Sequence, residues 1–209
     1  NASTAIDWQP RLQGELIEIR PLLSADWDAL LQVAADPLLW AQHPEPDRHR
    51  PEVFRRYFDS GIASGGALAV HERQSGALIG SSRFCAYSAE ASSVEIGYTF
   101  LARRCWGGAF NRELKRLMLT HALSHVGKVY FVVGQHNHRS QAAMRKLGAA
   151  LVPRQEHEAL PLPGHTSQPL IGIGNDDAQP IDKRGAQFRC LDGLGSELGT
   201  LGNKSDLAM

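Results

Sequence analysis

Two groups of residues in this chain have types and spacing that could do chemistry. The first is a small-residue turn, Gly107-Gly108-Ala109, preceded by Trp106 and followed by Phe110, Asn111 and Arg112. From Phe110 the apolar residues recur at helical spacing (Phe110, Leu114, Leu117, Met118, Ala122), so the turn opens a helix. Such a turn leaves several backbone N–H groups pointing outward at the positive end of the helix dipole, which is a phosphate cradle in outline. Arg103, Arg104, Arg112, Lys115 and Arg116 add positive charge around it. The same turn also serves as plain connection in many proteins. The second group centres on Glu95. In the run Val94 to Phe100 the apolar residues Val94, Ile96, Tyr98 and Phe100 alternate with Glu95, Gly97 and Thr99, the period of a strand. Glu95 then shares a face with two small residues and has room for a ligand beside it. A carboxylate buried there is raised toward the range of a general base, whereas one at a strand edge would pair with an arginine.

Other reactive side chains form no site of their own. Nine histidines are present. His136 and His138 bracket Asn137, and His121 and His125 lie one helical turn apart, but no third ligand completes a metal spacing. No metal is expected. Cys85, Cys105 and Cys190 are odd in number and lack a C-x-x-C spacing, against both a disulfide framework and a structural zinc site. A reducing cytoplasm is the simplest compartment. With 22 basic and 22 acidic residues the net charge is zero, so no whole-chain field favours nucleic acid or anionic membranes. No apolar run reaches the roughly 18 residues a membrane span needs, and no leader is read at the start, where Asn1-Ala2-Ser3 is set aside from fold reasoning.

The elements that must position these residues follow in order. Leu12 to Ile19 reads as a first strand, with Leu12, Leu16, Ile17 and Ile19 near the core and Pro21 ending it. Ser24 is the expected N-cap of a helix carrying Trp27, Leu30, Leu31 and Ala34 inward, stopped by Asp36-Pro37. Trp40 to Arg48 is a Pro-punctuated loop, either a substrate-contacting segment or a turn whose Trp40 caps the core. A second helix after Pro51 buries Phe54, Tyr57, Phe58 and Ile62. Ala67 to Glu72 and Ala77 to Tyr87 are strands joined by a hairpin at Arg73–Gly76. After the central helix come a strand over Val129 to Val133, closed by Gly134-Gln135-His136, and a helix from Asn137 with Ala143, Met144 and Leu147 inward, ended by Gly148. A strand over Ala149 to Val152 follows. Pro169 to Ile173 is the only candidate for a returning strand. Residues 174–209, rich in Gly, Asp and Ser, read as a loosely packed or disordered tail; an altered reading frame, or order gained only against a second subunit, are the alternatives. The expected organisation is thus an extension over 1–11, one domain over 12–173 and the tail.

This order of elements, over roughly Leu12 to Val152, resembles the GNAT superfamily of N-acetyltransferases, an α/β (α+β) fold with a mixed, mostly antiparallel sheet flanked by helices. Trp106-Gly107-Gly108-Ala109-Phe110-Asn111 is similar to the family's pyrophosphate-binding pattern Q/R-x-x-G-x-G/A. Trp106 replaces Gln or Arg. Ala109 stands at the first Gly, where a positive φ would disfavour a methyl group, and Asn111 takes the last small position. The Trp-Gly-x-Gly-aromatic variant resembles the branch that acetylates ribosomal-protein amino termini. Asn137-x-x-Ser140-x-x-x-Met144-x-Lys146-Leu147-Gly148-Ala149 looks like the family's N-x-x-[AS]-x-x-x-Y-x-K-x-G-F, with Met144 in place of the Tyr.

The resemblance implies acetyl-CoA as co-substrate, an amine acceptor, no acyl-enzyme, and a homodimer built on late strands. Transfer from a thioester to an amine needs a neutral amine, a polarised carbonyl and a protonated leaving thiolate. The resemblance assigns Glu95 as the base, directly or through water. It assigns Ser140 as the acid in place of the missing Tyr, since Met144 cannot donate, although a Ser this early in a helix also acts in capping. Asn137 would hold the pantetheine arm or order water, or simply cap its helix. Backbone N–H groups of Gly97-Tyr98-Thr99 would polarise the carbonyl, with the pantetheine amides paired along the same strand edge. Trp40, His43 and Asp47 would line the acceptor side. The expected activity is an acetyl-CoA-dependent N-acetyltransferase acting on a peptide amino terminus, an antibiotic or a small metabolite. A CoA-binding sensor without turnover is the alternative. A dinucleotide enzyme is weak, because G-x-G-x-x-G is absent and the preceding strands are not βαβ.

Overall fold

The computed structural model describes residues 6–133, 137–152 and 170–174, with backbone only for Leu151 and 170–174. In chain order the strands are β1 (Leu12–Gln13), β2 (Ile17–Pro21), β3 (Ala67–Glu72), β4 (Leu78–Ser88), β5 (Ser93–Leu101), β6 (Lys128–Val132), β7 (Ala150–Leu151) and β8 (Leu170–Gly174). The helices are α1 (Trp27–Ala34), α2 (Pro51–Ser64), α3 (Ala109–Leu123) and α4 (His138–Lys146). The strands form one sheet in the order β1-β2-β3-β4-β5-β6-β8-β7. Only β5 and β6 pair in parallel; the other pairings are antiparallel. The returning strand expected near Pro169–Ile173 is β8, inserted between β6 and β7 despite its two glycines. The tail beyond Gly174 and the closing turn Gly134-Gln135-His136 lie outside the described residues.

Helices cover both faces. Leu114, Met118 and Ala122 of α3 and Met144 of α4 pack with Ile17, Leu68, Val70, Val94 and Ile96 on one side. Leu30 and Ala34 of α1 and Phe54, Tyr57 and Phe58 of α2 pack with Ala69 and Phe100 on the other. That two-layer burial is the mixed α/β architecture expected for this family.

Several expectations change in physical detail. The first strand is two strands, because the carboxylate of Glu113 on α3 accepts the backbone N–H groups of Glu15 (2.8 Å), Leu16 (2.8 Å) and Ile17 (2.9 Å) and bends the chain between them. Leu16 is turned outward as a result, while Ile17 and Ile19 are fully buried. Gly14 is required there, since a Cβ would lie 2.3 Å from the Glu113 carboxyl carbon. Ser24 does not cap α1. A short 3-10 turn, Ser24–Asp26, precedes that helix, and Asp26 accepts from Leu23 N–H at 2.8 Å while pairing with Arg20. The buried stripe of α2 ends at Gly61 rather than Ile62, which is only partly covered. The hairpin glycine Gly76, with φ 70, and the α4 terminator Gly148, with φ 83, sit in the left-handed region as their turns require.

The strand alternation also breaks. Val94 and Ile96 belong to the α3 side, but Phe100 belongs to the α1/α2 side, and Tyr98 is 41% exposed. Opposite β4, Arg83 faces Gly97 and Ser81 faces Phe100, so Ser82 alone spans Tyr98 and Thr99. This is a β-bulge, which inverts the face parity beyond it.

Candidate active site

The bulge and a fork between strands create the site. β5 and β6 pair only over Ser93–Glu95 and Lys128–Tyr130, while β5 runs on to Leu101. From Ile96 onward the β5 edge has no β6 partner, and this stretch contains the bulge. Tyr98 sits at φ 53, an uncommon conformation for a bulky side chain. The Tyr57 hydroxyl of α2 donates to its carbonyl at 2.5 Å and holds that peptide in place. A bulge redirects backbone donors out of the ladder, which is what Gly97, Tyr98 and Thr99 need in order to meet an acyl oxygen.

At the far end of the same edge lies the start of α3. A short 3-10 turn, Arg103–Cys105, leads through Trp106 to Gly107 at φ 68 and to Gly108, which occupies the N-cap position with no side-chain cap. Among the described residues, no cap or loop hydrogen bond uses the N–H groups of Gly107, Gly108, Ala109, Phe110 or Asn111. A Cβ added at Gly107 would meet nothing within 4 Å, and one at Gly108 only the Trp106 carbonyl at 3.8 Å. The turn is therefore uncrowded at both glycines, and an uncapped helix start of this kind is where an anion can bind. Ala109 is an ordinary helical residue and Gly107 carries the positive φ, so the methyl group of Ala109 meets no backbone penalty. Trp106 packs inward, its indole N–H donating to Leu101 O at 3.0 Å and its ring lying under the Arg139 guanidinium at 3.7 Å.

The basic fringe is smaller than its sequence suggests. Arg103 pairs with Asp36, Arg104 with Glu72 at 2.9 Å and Arg116 with Glu113 at 3.8 Å. Lys115 points into the core and is 3% exposed. Arg112 is the exposed member with no ion pair among the described residues.

Glu95 is buried, at 4% exposure, opposite Cys85 on β4 and Tyr130 on β6. The room expected beside it is already used. The Glu95 carboxylate leans over Gly97, where an added Cβ would lie 2.6 Å from its Oε1 and displace it. Burial, and next the Glu95 carboxylate alongside, push the Cys85 thiol well above the usual range. Thr99 has left the Glu95 face because of the bulge. It accepts from the Lys115 ammonium at 2.7 Å and shares a 2.7 Å hydrogen bond with Ser82. Lys115 also lies 5.0 Å from the Phe131 ring centroid on β6, so its charge sits where β5 and β6 part. Burial lowers its pKa to about 7, against an opposing pull from Glu95. Sequence reading placed Lys115 at the phosphate turn; its α3 spacing, one position after the inward Leu114, was the available signal.

On α4, Asn137 is the N-cap, its side-chain oxygen accepting Ser140 N–H at 3.1 Å. Ser140 is partly exposed in the first turn, one turn ahead of buried Met144. The three acceptor-side candidates separate. Trp40 is a core residue at 3% exposure, with its indole N–H bonded to Ala34 O at 2.8 Å and its ring against Phe100, so it is a wall and not a free contact. His43 stands edge-on to Trp40 and accepts Glu45 N–H on Nδ1 at 3.0 Å. Burial first, then the Arg48 charge, lowers its pKa to about 4, so it is neutral at pH 7. Asp47 is exposed and 3.8 Å from Arg50.

Sequence reading missed Arg83. It is 5% exposed on the Glu95 face of β4, with its guanidinium 4.0 Å from the Tyr98 ring centroid. Its mark in the sequence was a lone charge in the middle of a strand. No group of three or more metal-ligating side chains occurs among the described residues, and none of their helices is long and apolar enough to cross a membrane.

Comparison with known proteins agrees with this geometry. The acetyltransferase (GNAT) domain family matches residues 17–150, so the chain belongs to that family of N-acetyltransferases, which use acetyl-CoA. No curated protein matches it in sequence. Similar solved structures include a probable acetyltransferase (GNAT family) from Chromobacterium violaceum, at TM-score 0.68 and 17% identity, covering 83% of this chain and 90% of that one. RimJ from Mycobacterium smegmatis, in complex with CoA-disulfide, has TM-score 0.56 and 17% identity over 79% and 85% of the two chains. Spermidine N-acetyltransferase from Vibrio cholerae, in complex with CoA and spermine, has TM-score 0.55 and 14% identity over 78% and 98%. At these identities the likeness is one of fold.

Proposed function

We propose that this chain moves an acetyl group from acetyl-CoA directly to a primary amine, on a peptide amino terminus or a small molecule. The observation that carries the reading is the uncapped start of α3 at the end of an unpaired β5 edge. Gly107 to Asn111 offer their amides to the diphosphate, with the Arg112 side chain beside them. The edge of β5 from Gly97 to Thr99 offers ladder positions to the pantetheine amides and a donor to the acyl oxygen. Acetyl-CoA supplies the activated thioester.

Glu95 takes the proton of the attacking amine. Its burial makes a water relay the natural route, and an acceptor amine with a reference pKa near ~7.7 (α-amine) or ~10.4 (lysine) must lose that proton before it attacks. Ser140 stands on the thiol side as hydrogen-bond donor in place of the residue at Met144. Asn137 supports it by holding the first turn of α4, and His43 and Asp47 flank the acceptor entrance. The buried methionine favours one second reading, a CoA-binding protein without turnover. A thiol-release assay with acetyl-CoA and a broad amine panel separates the two. Release dependent on an amine, lost in Glu95→Gln, supports transfer; CoA binding with no release across the panel selects the sensor.

A further inference from the structure

Arg83 is a buried cation that the transfer chemistry above leaves unused. It lies on β4 directly opposite Gly97, while Cys85, two residues on, lies opposite Glu95. Arg83 and Glu95 are therefore diagonal neighbours on one face of the same ladder, with backbones roughly 7–8 Å apart. The guanidinium is wedged between α2 and the bulge. One of its terminal nitrogens donates two long bonds of 3.3 Å, to Tyr57 O and Ser60 Oγ, and would lie 3.0 Å from a Cβ at Gly61. Its cationic face rests on the Tyr98 ring at 4.0 Å and near the Tyr57 ring at 5.6 Å. Its Nε is buried and has no hydrogen-bond partner among the described residues. Among the described residues no carboxylate lies within ion-pair distance of it.

A buried charge in this state is costly. Arginine stays protonated, so it cannot escape the penalty by losing its proton. Two weak bonds to neutral oxygens and two ring contacts offset only part of the desolvation of a guanidinium. Such a site is completed by an anion with planar, two-oxygen geometry. One of the rings resting on it, that of Tyr98, is 41% exposed and stands at the bulge, so the guanidinium lies one side chain from the surface on that side.

We propose that Arg83 is the carboxylate-recognition residue of the acceptor site, and that the preferred acceptors are amines carrying a carboxylate a few bonds from the nitrogen, such as free α-amino acids. The amine then lies toward Glu95 and the carboxylate toward Arg83, opposite charges matched along one diagonal of the sheet. Polyamines and simple alkylamines lack the group that completes the site. This rests on the acetyltransferase reading and narrows its acceptor.

The test uses the full chain with acetyl-CoA and matched acceptor pairs: an α-amino acid, its carboxamide and the corresponding decarboxylated amine. Thiol release is read as kcat/KM, and acceptor binding in the presence of CoA is read independently as a thermal shift. The expected result is at least a 10²-fold preference for the carboxylate member and a thermal shift from it alone. Arg83→Lys should keep the cation but lose most of the preference, because it loses the two-pronged geometry. Arg83→Met should level the acceptor pairs, mainly by raising KM. Circular dichroism and an unchanged CoA dissociation constant show that each variant is folded. Equal rates with carboxylate and amide acceptors, preference for a polyamine, or a preference that survives in both Arg83 variants would overturn the proposal while leaving the acetyltransferase reading intact. Absence of CoA binding in the wild-type chain would instead overturn the reading on which it rests, and the proposal with it.

Discussion

Replacing Lys115 by methionine should stabilise the protein near neutral pH. Burial lowers the lysine from 10.5 in the unfolded chain to about 7 in the fold. Below pH 7 both states carry the proton, and the fold bears the full cost of the buried charge, on the order of 5 kcal/mol, falling to about 4 kcal/mol at pH 7 itself. Between pH 7 and 10.5 the unfolded chain still holds a proton that the fold has released. Stability of the wild type therefore rises with pH across that window, and the cost is gone above it. Methionine fills a similar volume without charge. Against this gain stand the bond to Thr99 at 2.7 Å and the contact with Phe131, together about 2 kcal/mol. The net expectation at pH 7 is about 2 kcal/mol in favour of Lys115→Met, or roughly 4–8 °C in Tm for a chain of this size. The gap should close and reverse by pH 10. Urea unfolding of both proteins from pH 6 to 10 measures it, and the difference between the two cancels groups they share. A variant less stable at pH 7, by an amount that does not change with pH, would refute the assignment of Lys115 as a destabilising buried cation.

Other expectations concern separate parts of the molecule. Glu95→Gln should lower kcat by about 10²-fold or more and leave the CoA dissociation constant unchanged in calorimetry; a matching loss in both would mean that Glu95 is structural. Glu113→Ala should cost about 3 kcal/mol in urea unfolding, because it strands three backbone N–H groups, and Gly14→Ala should weaken the same clamp through its 2.3 Å clash. Asn137→Ala should cost about 1 kcal/mol from the lost cap of α4, readable as faster hydrogen exchange over residues 138–141.

The sheet and its helices were readable because period and punctuation agree in this chain. Pro51, Gly65, Gly76 and Gly148 bracket their elements where the structure ends them, and even the glycine-rich Leu170–Gly174 forms a strand. What escaped was set by tertiary contact. The clamp of Glu113 on residues 15–17 joins partners nearly a hundred positions apart and breaks a strand that looks continuous. The bulge puts Tyr98, not the neighbouring Gly97, at positive φ, and it moves Thr99 to Lys115 and Phe100 to the opposite core. Lys115 was read into the positive fringe of the turn and Arg83 was passed over, since a sequence shows which face a residue shares but not what covers it. The uncapped glycine turn at Gly107-Gly108 was legible because its signal, small residues opening a helix, is local.

The most direct test of the account is the backbone amide spectrum of a ¹⁵N-labelled chain titrated with CoA and, separately, with pantetheine. CoA should shift the resonances of Gly107 to Arg112 strongly, and pantetheine, which lacks the diphosphate, should leave them in place while moving those of Gly97 to Thr99. If CoA binds and the Gly107 to Arg112 amides stay where they were, the start of α3 does not hold the diphosphate and the site described here is misplaced.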